Sequence, residues 1–160
     1  MGVNGRVAPA LVGALRIALG LVLLIAGILK AHDGAAATAA SIAGYRVLPP
    51  ALNATFGVLL PYLEIVLGGY LASGFYARGA ALVAAAQFLV FAGAVASLVV
   101  RGIPADCGCF GSGVRTPPSW GHVAADLALA LLALGVARFG PGRFAVDASS
   151  RGAGREPSAS

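Results

Sequence analysis

The chain has 160 residues, of which 59% are hydrophobic and 11% are charged. A soluble domain typically carries about 25% charged residues, so this chain has too little charge to cover a soluble surface. Its length fits a single domain. The formal net charge of +5 does not indicate nucleic-acid binding, because the basic residues stand at the ends of apolar runs instead of forming a stripe. The composition predicts an integral membrane protein whose main partner is the lipid bilayer, with no nucleic acid bound.

Four apolar segments are each long enough to cross a bilayer, which takes about 20 residues of α-helix. We predict spans over residues 9–29, 54–73, 80–100 and 121–138. The predicted fold class is therefore an all-α, integral membrane four-helix bundle. Residues 1–8 form a short N-terminal extension, and residues 139–160, which are rich in Gly, Ser, Arg and Pro, form a disordered tail.

The first span has a rival interpretation as the apolar core of a signal peptide, because Arg6 precedes it. The span is longer than the apolar core of most signal peptides, and Arg16 interrupts it. Residues 30–33 also make a poor cleavage site. These features favour an uncleaved helix.

Between the first two spans, residues 30–53 contain an alanine-rich stretch that we interpret as a short interfacial helix, with Tyr45 at headgroup level. The prolines at 49–50 end this stretch. We expect Asn53 to cap the second span and Gly74 to end it. Glycines inside the spans predict close contacts between helices.

Four spans place both termini on the same side of the membrane. The basic residues of that side outnumber those of the other: Arg6, Arg78, Arg138, Arg143, Arg151 and Arg155, against Lys30, Arg46, Arg101 and Arg115. The excess predicts that both termini are cytoplasmic in the cell membrane. The connection between the third and fourth spans then faces the extracytoplasmic side, where disulfides form and persist.

That connection, residues 101–119, contains the only two cysteines of the chain, Cys107 and Cys109. A disulfide between residues i and i+2 needs a bent backbone, which Gly108 permits. A small, strained ring exchanges easily, so the two cysteines are the candidate catalytic residues of a thiol–disulfide exchange. A static bridge and two unpaired thiols are the alternatives. Two thiols and His122 leave a metal site short of four ligands, so we expect no metal.

Three polar residues lie well inside the apolar runs: Arg16, Glu64 and Gln87. Counting about 1.5 Å per residue, we expect all three roughly 15–20 Å below the outer face. Such groups are costly in lipid unless paired, so we predict an Arg16–Glu64 ion pair with Gln87 hydrogen-bonded to either residue. The three are either contacts of a proton or quinone site or a structural clamp that fixes helix packing. We pair Asp126, in the fourth span, with Lys30.

Four segments of the chain carry a family resemblance: GILKAHD at 27–33, YRVLP at 45–49, LPYLEIVLGGYLASG at 60–74 and RGIPADCGCFG at 101–111. Together they resemble the MauE/DoxX family of small membrane proteins, and the MauE branch in particular. The resemblance runs over residues 10–138. The positions that match the family pattern are Lys30, Tyr45, Glu64, Cys107 and Cys109.

The resemblance implies a four-helix membrane protein linked to extracytoplasmic disulfide chemistry, often beside a thioredoxin-like protein. MauE is associated with maturation of the disulfide-rich small subunit of methylamine dehydrogenase, and DoxX relatives with thiosulfate or quinone-linked oxidation. The leading hypothesis is a membrane thiol–disulfide redox partner of an extracytoplasmic thioredoxin-like protein, with a quinone as the one cofactor considered. The alternatives are a non-enzymatic assembly factor and, with less support, a small transporter, for which a homo-oligomer would supply more spans.

Overall fold

The computed structural model describes residues 4–105 and 116–140, together with Gly142 and Ala145. Its five α-helices are α1 (Asn4–Asp33), α2 (Ala35–Gly44), α3 (Pro50–Ser73), α4 (Ala77–Arg101) and α5 (Trp120–Phe139). No strand occurs in the described ranges, so the all-α prediction is confirmed. The helices α1, α3, α4 and α5 are long and apolar enough to cross a membrane, and α2 is the short helix predicted between the first two spans.

The outward surface of the four long helices is apolar. Each helix exposes large apolar side chains, such as Leu11 on α1 (56% exposed), Leu59 on α3 (56%), Val90 on α4 (71%) and Leu131 on α5 (69%). A soluble protein rarely exposes so extensive an apolar surface, whereas lipid tails are as apolar as these side chains. The chain is therefore a multi-pass membrane protein.

The α3 helix begins four residues before the predicted start at Ala54, with Pro49 as its N-cap and Pro50 as its first residue. Proline suits this position because its fixed φ is helical and its missing N–H would have no partner within the helix. The prediction that Asn53 caps the helix is therefore wrong. The predicted end at Gly74 is confirmed, since Gly74 has a φ of 74° and its N–H donates to the carbonyl of Tyr70 at 2.9 Å.

The long helices form a bundle made of two pairs. α1 packs along α3, α4 packs along α5, and contacts of α1 with α5 and of α3 with α4 join the pairs. The short α2 packs mainly on α3. We call the end with α2 and the α4–α5 connection the loop end, and the end with the α3–α4 turn the termini end.

Two apolar clusters fill the interior of the bundle. The termini-end cluster consists of Leu19, Leu23, Leu67, Leu71, Ala80, Ala81, Ala84, Ala85, Phe88, Ala130, Ala133 and Val136. The loop-end cluster consists of Tyr45, Ala92, Val95, Leu98 and Val123. Tyr45, which we expected at headgroup level, is only 6% exposed and packs within the loop-end cluster. The many alanines let the α4 backbone approach its neighbours closely.

Glycines bring the backbones of α1 and α3 together. A Cβ atom on Gly20 would lie 2.6 Å from the Ala72 nitrogen and 2.8 Å from the Gly68 carbonyl oxygen. Further along the pair, a Cβ atom on Gly27 would lie 2.7 Å from the Pro61 carbonyl oxygen. These positions have no room for any side chain, so the predicted close helix approach is confirmed for the α1–α3 pair.

The two adjacent glycines of α3 allow a matched test of this packing. A Cβ atom on Gly68 would lie 2.7 Å from the Gly20 carbonyl oxygen, whereas one on Gly69 has no atom within 4 Å. We expect Gly68→Ala to lower the free energy of unfolding by about 1–3 kcal/mol, because the two backbones must separate. Gly69→Ala should leave it unchanged or raise it slightly, since alanine favours the helix. Denaturant unfolding of the detergent-solubilised protein measures both, and equal effects would contradict the packing.

Candidate functional site

A buried ion pair joins α1 to α3. Lys30, in the last turn of α1, and Glu64, within α3, have side chains that are 3% and 2% exposed. The Lys30 Nζ donates to Glu64 Oε1 at 2.9 Å and to Oε2 at 2.8 Å. One turn earlier in α1, a Cβ atom on Gly27 would lie 2.9 Å from the Glu64 Cβ. The missing side chain of Gly27 therefore lets the α1 backbone lie close enough for Lys30 to reach the carboxylate.

The α4 helix contributes two further groups to this pair. Gln87 Nε2 donates to Glu64 Oε1 at 3.2 Å, which confirms the predicted hydrogen bond between Gln87 and Glu64. One turn further along α4, the Phe91 ring centroid lies 5.8 Å from the Lys30 Nζ, within range of a cation–π interaction. We call Lys30, Glu64 and Gln87 the polar layer, because they tie three helices together at one level of the bundle.

The polar layer lies between the two apolar clusters. On α4, Gln87 directly precedes Phe88 of the termini-end cluster, and the loop-end cluster begins at Ala92. On α3, Glu64 precedes Leu67 of the termini-end cluster by one turn. Apolar packing on both sides keeps these polar groups away from water and lipid headgroups.

Asp126 on α5 lies at the level of the polar layer. It is 8% exposed and stands between Val123 of the loop-end cluster and Ala130 of the termini-end cluster. This level agrees with the pairing of Asp126 and Lys30 that we predict from the sequence, and that contact stays a prediction.

The geometry of the polar layer suits a structural clamp. A charge inside an apolar bundle is costly unless an opposite charge and hydrogen bonds compensate it. Here Lys30 and Glu64 compensate each other, and Gln87 fixes the orientation of the carboxylate. Among the described residues, the buried atom of the layer left without a hydrogen-bond partner is Gln87 Oε1, which is an acceptor.

Arg16 lies at the termini end, so the predicted Arg16–Glu64 ion pair is wrong. The Arg16 side chain is fully buried, and its Nη1 donates to the carbonyl of Leu71 at 2.7 Å. Leu71 is seven residues beyond Glu64, roughly 10 Å along α3. The last carbonyls of a helix lack intrahelical donors and carry partial negative charge. A guanidinium at this place donates a hydrogen bond to such a carbonyl and brings a positive charge close to it. Arg16 therefore caps the C-terminal end of α3.

The wrong pairing comes from the assumption that α1 and α3 reach the same level at the loop end. We counted depth from the ends of the predicted spans. In the structure α1 stops short, and α2 packs beside the first turns of α3: a Cβ atom on Gly57 would lie 2.6 Å from the Ala35 carbonyl oxygen. Lys30 is therefore deeper in the bundle than its distance from the end of α1 suggests, and it takes the position that we assigned to Arg16.

Cys107 and Cys109 lie outside the described residues, but the chain that leads to them is anchored. α4 ends at Arg101, and its C-cap Gly102 has a φ of 61° and donates its N–H to the Val99 carbonyl at 3.3 Å. Arg101 Nη1 donates to the Tyr45 carbonyl at 3.2 Å and so ties the end of α4 to the end of α2. The backbone therefore leaves α4 in a fixed direction beside α2.

We call the chain between Ala105 and Ser119, which holds Cys107 and Cys109, the cysteine segment. Contacts on either side of it fix where it begins and ends. Before it, a Cβ atom on Gly44, the last residue of α2, would be in ordinary contact with the Ala105 Cβ at 3.6 Å. After it, Ser119 precedes α5, and its Oγ lies 2.8 Å from Nδ1 of the half-buried His122. Both attachment points lie at the loop end of the bundle.

Comparisons with known proteins agree on one family. A family model described as "Methylamine utilisation protein MauE" matches residues 8–138. Methylamine utilization protein MauE of Paracoccus denitrificans is 37% identical over 130 residues, which cover 81% of this chain and 69% of the relative. That of Methylophilus methylotrophus is 42% identical over 102 residues, 60% of this chain and 52% of the relative. That of Methylorubrum extorquens is 34% identical over 97 residues and covers the same shares. The chain thus spans about half the length of the last two, and no solved structure matches it.

The clamp can be tested by removing one charge and then both. We expect Lys30→Met to lower the free energy of unfolding by about 3–5 kcal/mol, because it leaves the Glu64 carboxylate buried without a compensating charge. The double variant Lys30→Met/Glu64→Gln should recover the part of this loss that comes from the uncompensated Glu64 carboxylate, since neither position then carries a charge. His32→Met, at an 88% exposed position of the same helix turn, is the matched control and should have little effect. A double variant as unstable as Lys30→Met alone would contradict the clamp.

Proposed function

Because the chain belongs to the MauE family of methylamine utilisation proteins, we propose that it is a membrane component of a methylamine utilisation system. Within that system, we propose that Cys107 and Cys109 exchange a disulfide with an extracytoplasmic partner, of which a thioredoxin-like protein is the leading candidate. The observation that carries this proposal is the family match, which spans the whole cysteine segment.

The proposed exchange begins with a disulfide between Cys107 and Cys109. A thiolate of the partner attacks one of the two sulfurs, which forms a mixed disulfide and releases the other sulfur as a thiolate. A second thiol of the partner then attacks the mixed disulfide. The partner leaves with a new disulfide, and this chain keeps two thiols. Two electrons and two protons have moved from the partner to Cys107 and Cys109.

The anchoring of the cysteine segment supports this role. Arg101 and Ala105 contact the end of α2 on one side, and Ser119 is the N-cap of α5 on the other, so the segment leaves and rejoins the bundle at its loop end. A reactive pair attached there would meet a partner from the aqueous phase without crossing lipid. The excess of basic residues favours cytoplasmic termini, and hence an extracytoplasmic loop end.

The polar layer has a separate role in this proposal. Its members form hydrogen bonds with one another, and Arg16, which lies at the termini end, is not one of them. We therefore propose that Lys30, Glu64 and Gln87 hold the bundle in shape below the cysteine segment.

The second candidate function is a non-enzymatic assembly factor, in which the bundle holds a partner in the membrane. The buried Lys30–Glu64 ion pair favours it, because a bundle whose α1 and α3 are clamped together suits a scaffold. On this alternative the cysteine segment would only shape a docking surface. Replacing the cysteines would then weaken partner binding, but no step of disulfide transfer would be lost.

Single-cysteine variants distinguish the two functions. We expect Cys107→Ser and Cys109→Ser each to slow oxidation of a reduced thioredoxin-like partner by at least about tenfold, because one thiol cannot complete the exchange. One of the two variants should accumulate a mixed disulfide with the partner, visible on a non-reducing gel and absent from the double variant. Oxidation at the wild-type rate in both single variants would exclude the redox function. Weakened binding without a mixed disulfide would favour the assembly factor.

Thiol labelling of intact cells tests the location of the loop end. We expect a membrane-impermeant maleimide to label the wild-type chain only after reduction, because the two cysteines would be extracytoplasmic and oxidised. The double cysteine variant is the control for background labelling. Labelling that requires lysis of the cells would place the loop end in the cytoplasm and contradict both the orientation and the disulfide.

A further inference from the structure

Two exposed arginines stand at the termini end, on the neighbouring helices α4 and α5. Arg78 lies in the first turn of α4, and Arg138 lies in the last turn of α5. In the described part of the chain, neither guanidinium has a hydrogen-bond acceptor or an ion-pair partner. Each arginine therefore brings a full positive charge and unused hydrogen-bond donors to the surface of the bundle.

The Arg78 guanidinium lies beside the end of α5. A Cβ atom on Gly140, the C-cap of α5, would lie 3.2 Å from Arg78 Nη2 and 3.7 Å from its Nε. Arg16 occupies a similar place at the end of α3, but its side chain is fully buried and its Nη1 donates to the Leu71 carbonyl at 2.7 Å. Arg78 is exposed and makes no such bond within the described ranges. Its donors can therefore reach a ligand outside the bundle.

Exposed aromatic side chains accompany both arginines. Tyr76, the N-cap of α4, is 67% exposed and stands two residues before Arg78. Phe139, the last residue of α5, is 76% exposed and directly follows Arg138. Aromatic residues concentrate at the level of the lipid headgroups, at the ends of membrane spans. The two arginines therefore lie at the level where a bilayer presents its phosphate groups.

The termini end has no acidic residue in the parts of the chain that the structure describes. Asp33 ends α1 at the loop end, Glu64 belongs to the polar layer, and Asp126 lies at the level of that layer. No carboxylate of the described residues therefore neutralises Arg78 or Arg138. Basic residues at such a membrane surface attract anionic lipids.

We propose that the ends of α4 and α5 at the termini end bind the headgroups of anionic lipids through Arg78 and Arg138. The guanidiniums donate hydrogen bonds to the phosphate oxygens, and the exposed rings of Tyr76 and Phe139 pack against the glycerol backbone and the upper acyl chains. The surface prefers lipids with a net negative charge, because a zwitterionic headgroup already compensates its phosphate with its own ammonium group. This site is separate from the cysteines and from the polar layer.

Native mass spectrometry of the full-length, detergent-solubilised chain measures this binding, with phosphatidylglycerol as the probe. We expect phosphatidylglycerol to bind at least about fivefold more tightly than phosphatidylcholine with the same acyl chains, since only the first lipid carries a net negative charge. Equal affinities for the two lipids would overturn the proposal.

Arginine variants locate the site. We expect Arg78→Gln and Arg138→Gln each to weaken phosphatidylglycerol binding about fivefold, and the double variant to weaken it by more than about tenfold. Arg78→Lys should keep most of the affinity, because it keeps the charge. Arg46→Gln is the matched control, because Arg46 is also exposed and has no partner in the described ranges, but it follows α2 at the loop end. This control should bind phosphatidylglycerol like the wild type. An equal loss in Arg46→Gln and Arg78→Gln, or no loss in the double variant, would contradict the site.

Discussion

The free-energy cost of burying charge in an apolar bundle determines where the polar groups of this protein lie. Lys30 and Glu64 bury full charges between two apolar clusters, and each is stable there only because the other is present. Gln87 adds a hydrogen bond from a third helix, so the pair fixes the relative positions of α1, α3 and α4. Arg16 meets the same constraint differently, since its charge lies against the negative end of a helix dipole.

The register of α1 against α3 depends on backbone contact, which in turn depends on glycine. Gly20 meets Gly68, and seven residues later Gly27 meets Pro61 on the antiparallel helix. Apolar surface alone does not select one register in a membrane, because lipid competes equally well for it. Small residues select it by allowing two backbones to approach. The ion pair then stabilises the register in which Lys30 reaches Glu64.

Much of this fold could be predicted from the sequence, but the pairing of its polar groups could not. The four spans follow from apolar length, and the end of α3 follows from Gly74. On α1, glycines at 20 and 27 are seven residues apart, but on α3 the matching contacts fall on Gly68 and Pro61, so glycine spacing did not predict the register that places Lys30 beside Glu64. We placed Lys30 too near the membrane surface because we counted depth from the span ends. Nothing in the composition shows that α2, and not α1, packs beside the first turns of α3 at the loop end. The prediction that Asn53 caps α3 was wrong for a local reason: Pro49 is the N-cap and Pro50 the first residue, so the helix starts before Asn53.

The clamp and the cysteine segment are linked by a short series of contacts. Lys30 fixes the last turn of α1, and its carbonyl accepts the N–H of Gly34, the one residue between α1 and α2. α2 ends beside Tyr45, whose carbonyl accepts from Arg101 at the end of α4. A shift of α1 in the polar layer would therefore be passed through α2 to the point where the chain leaves α4 for Cys107. Residues deep in the bundle are thus connected to the point where the chain leaves α4 towards the cysteines.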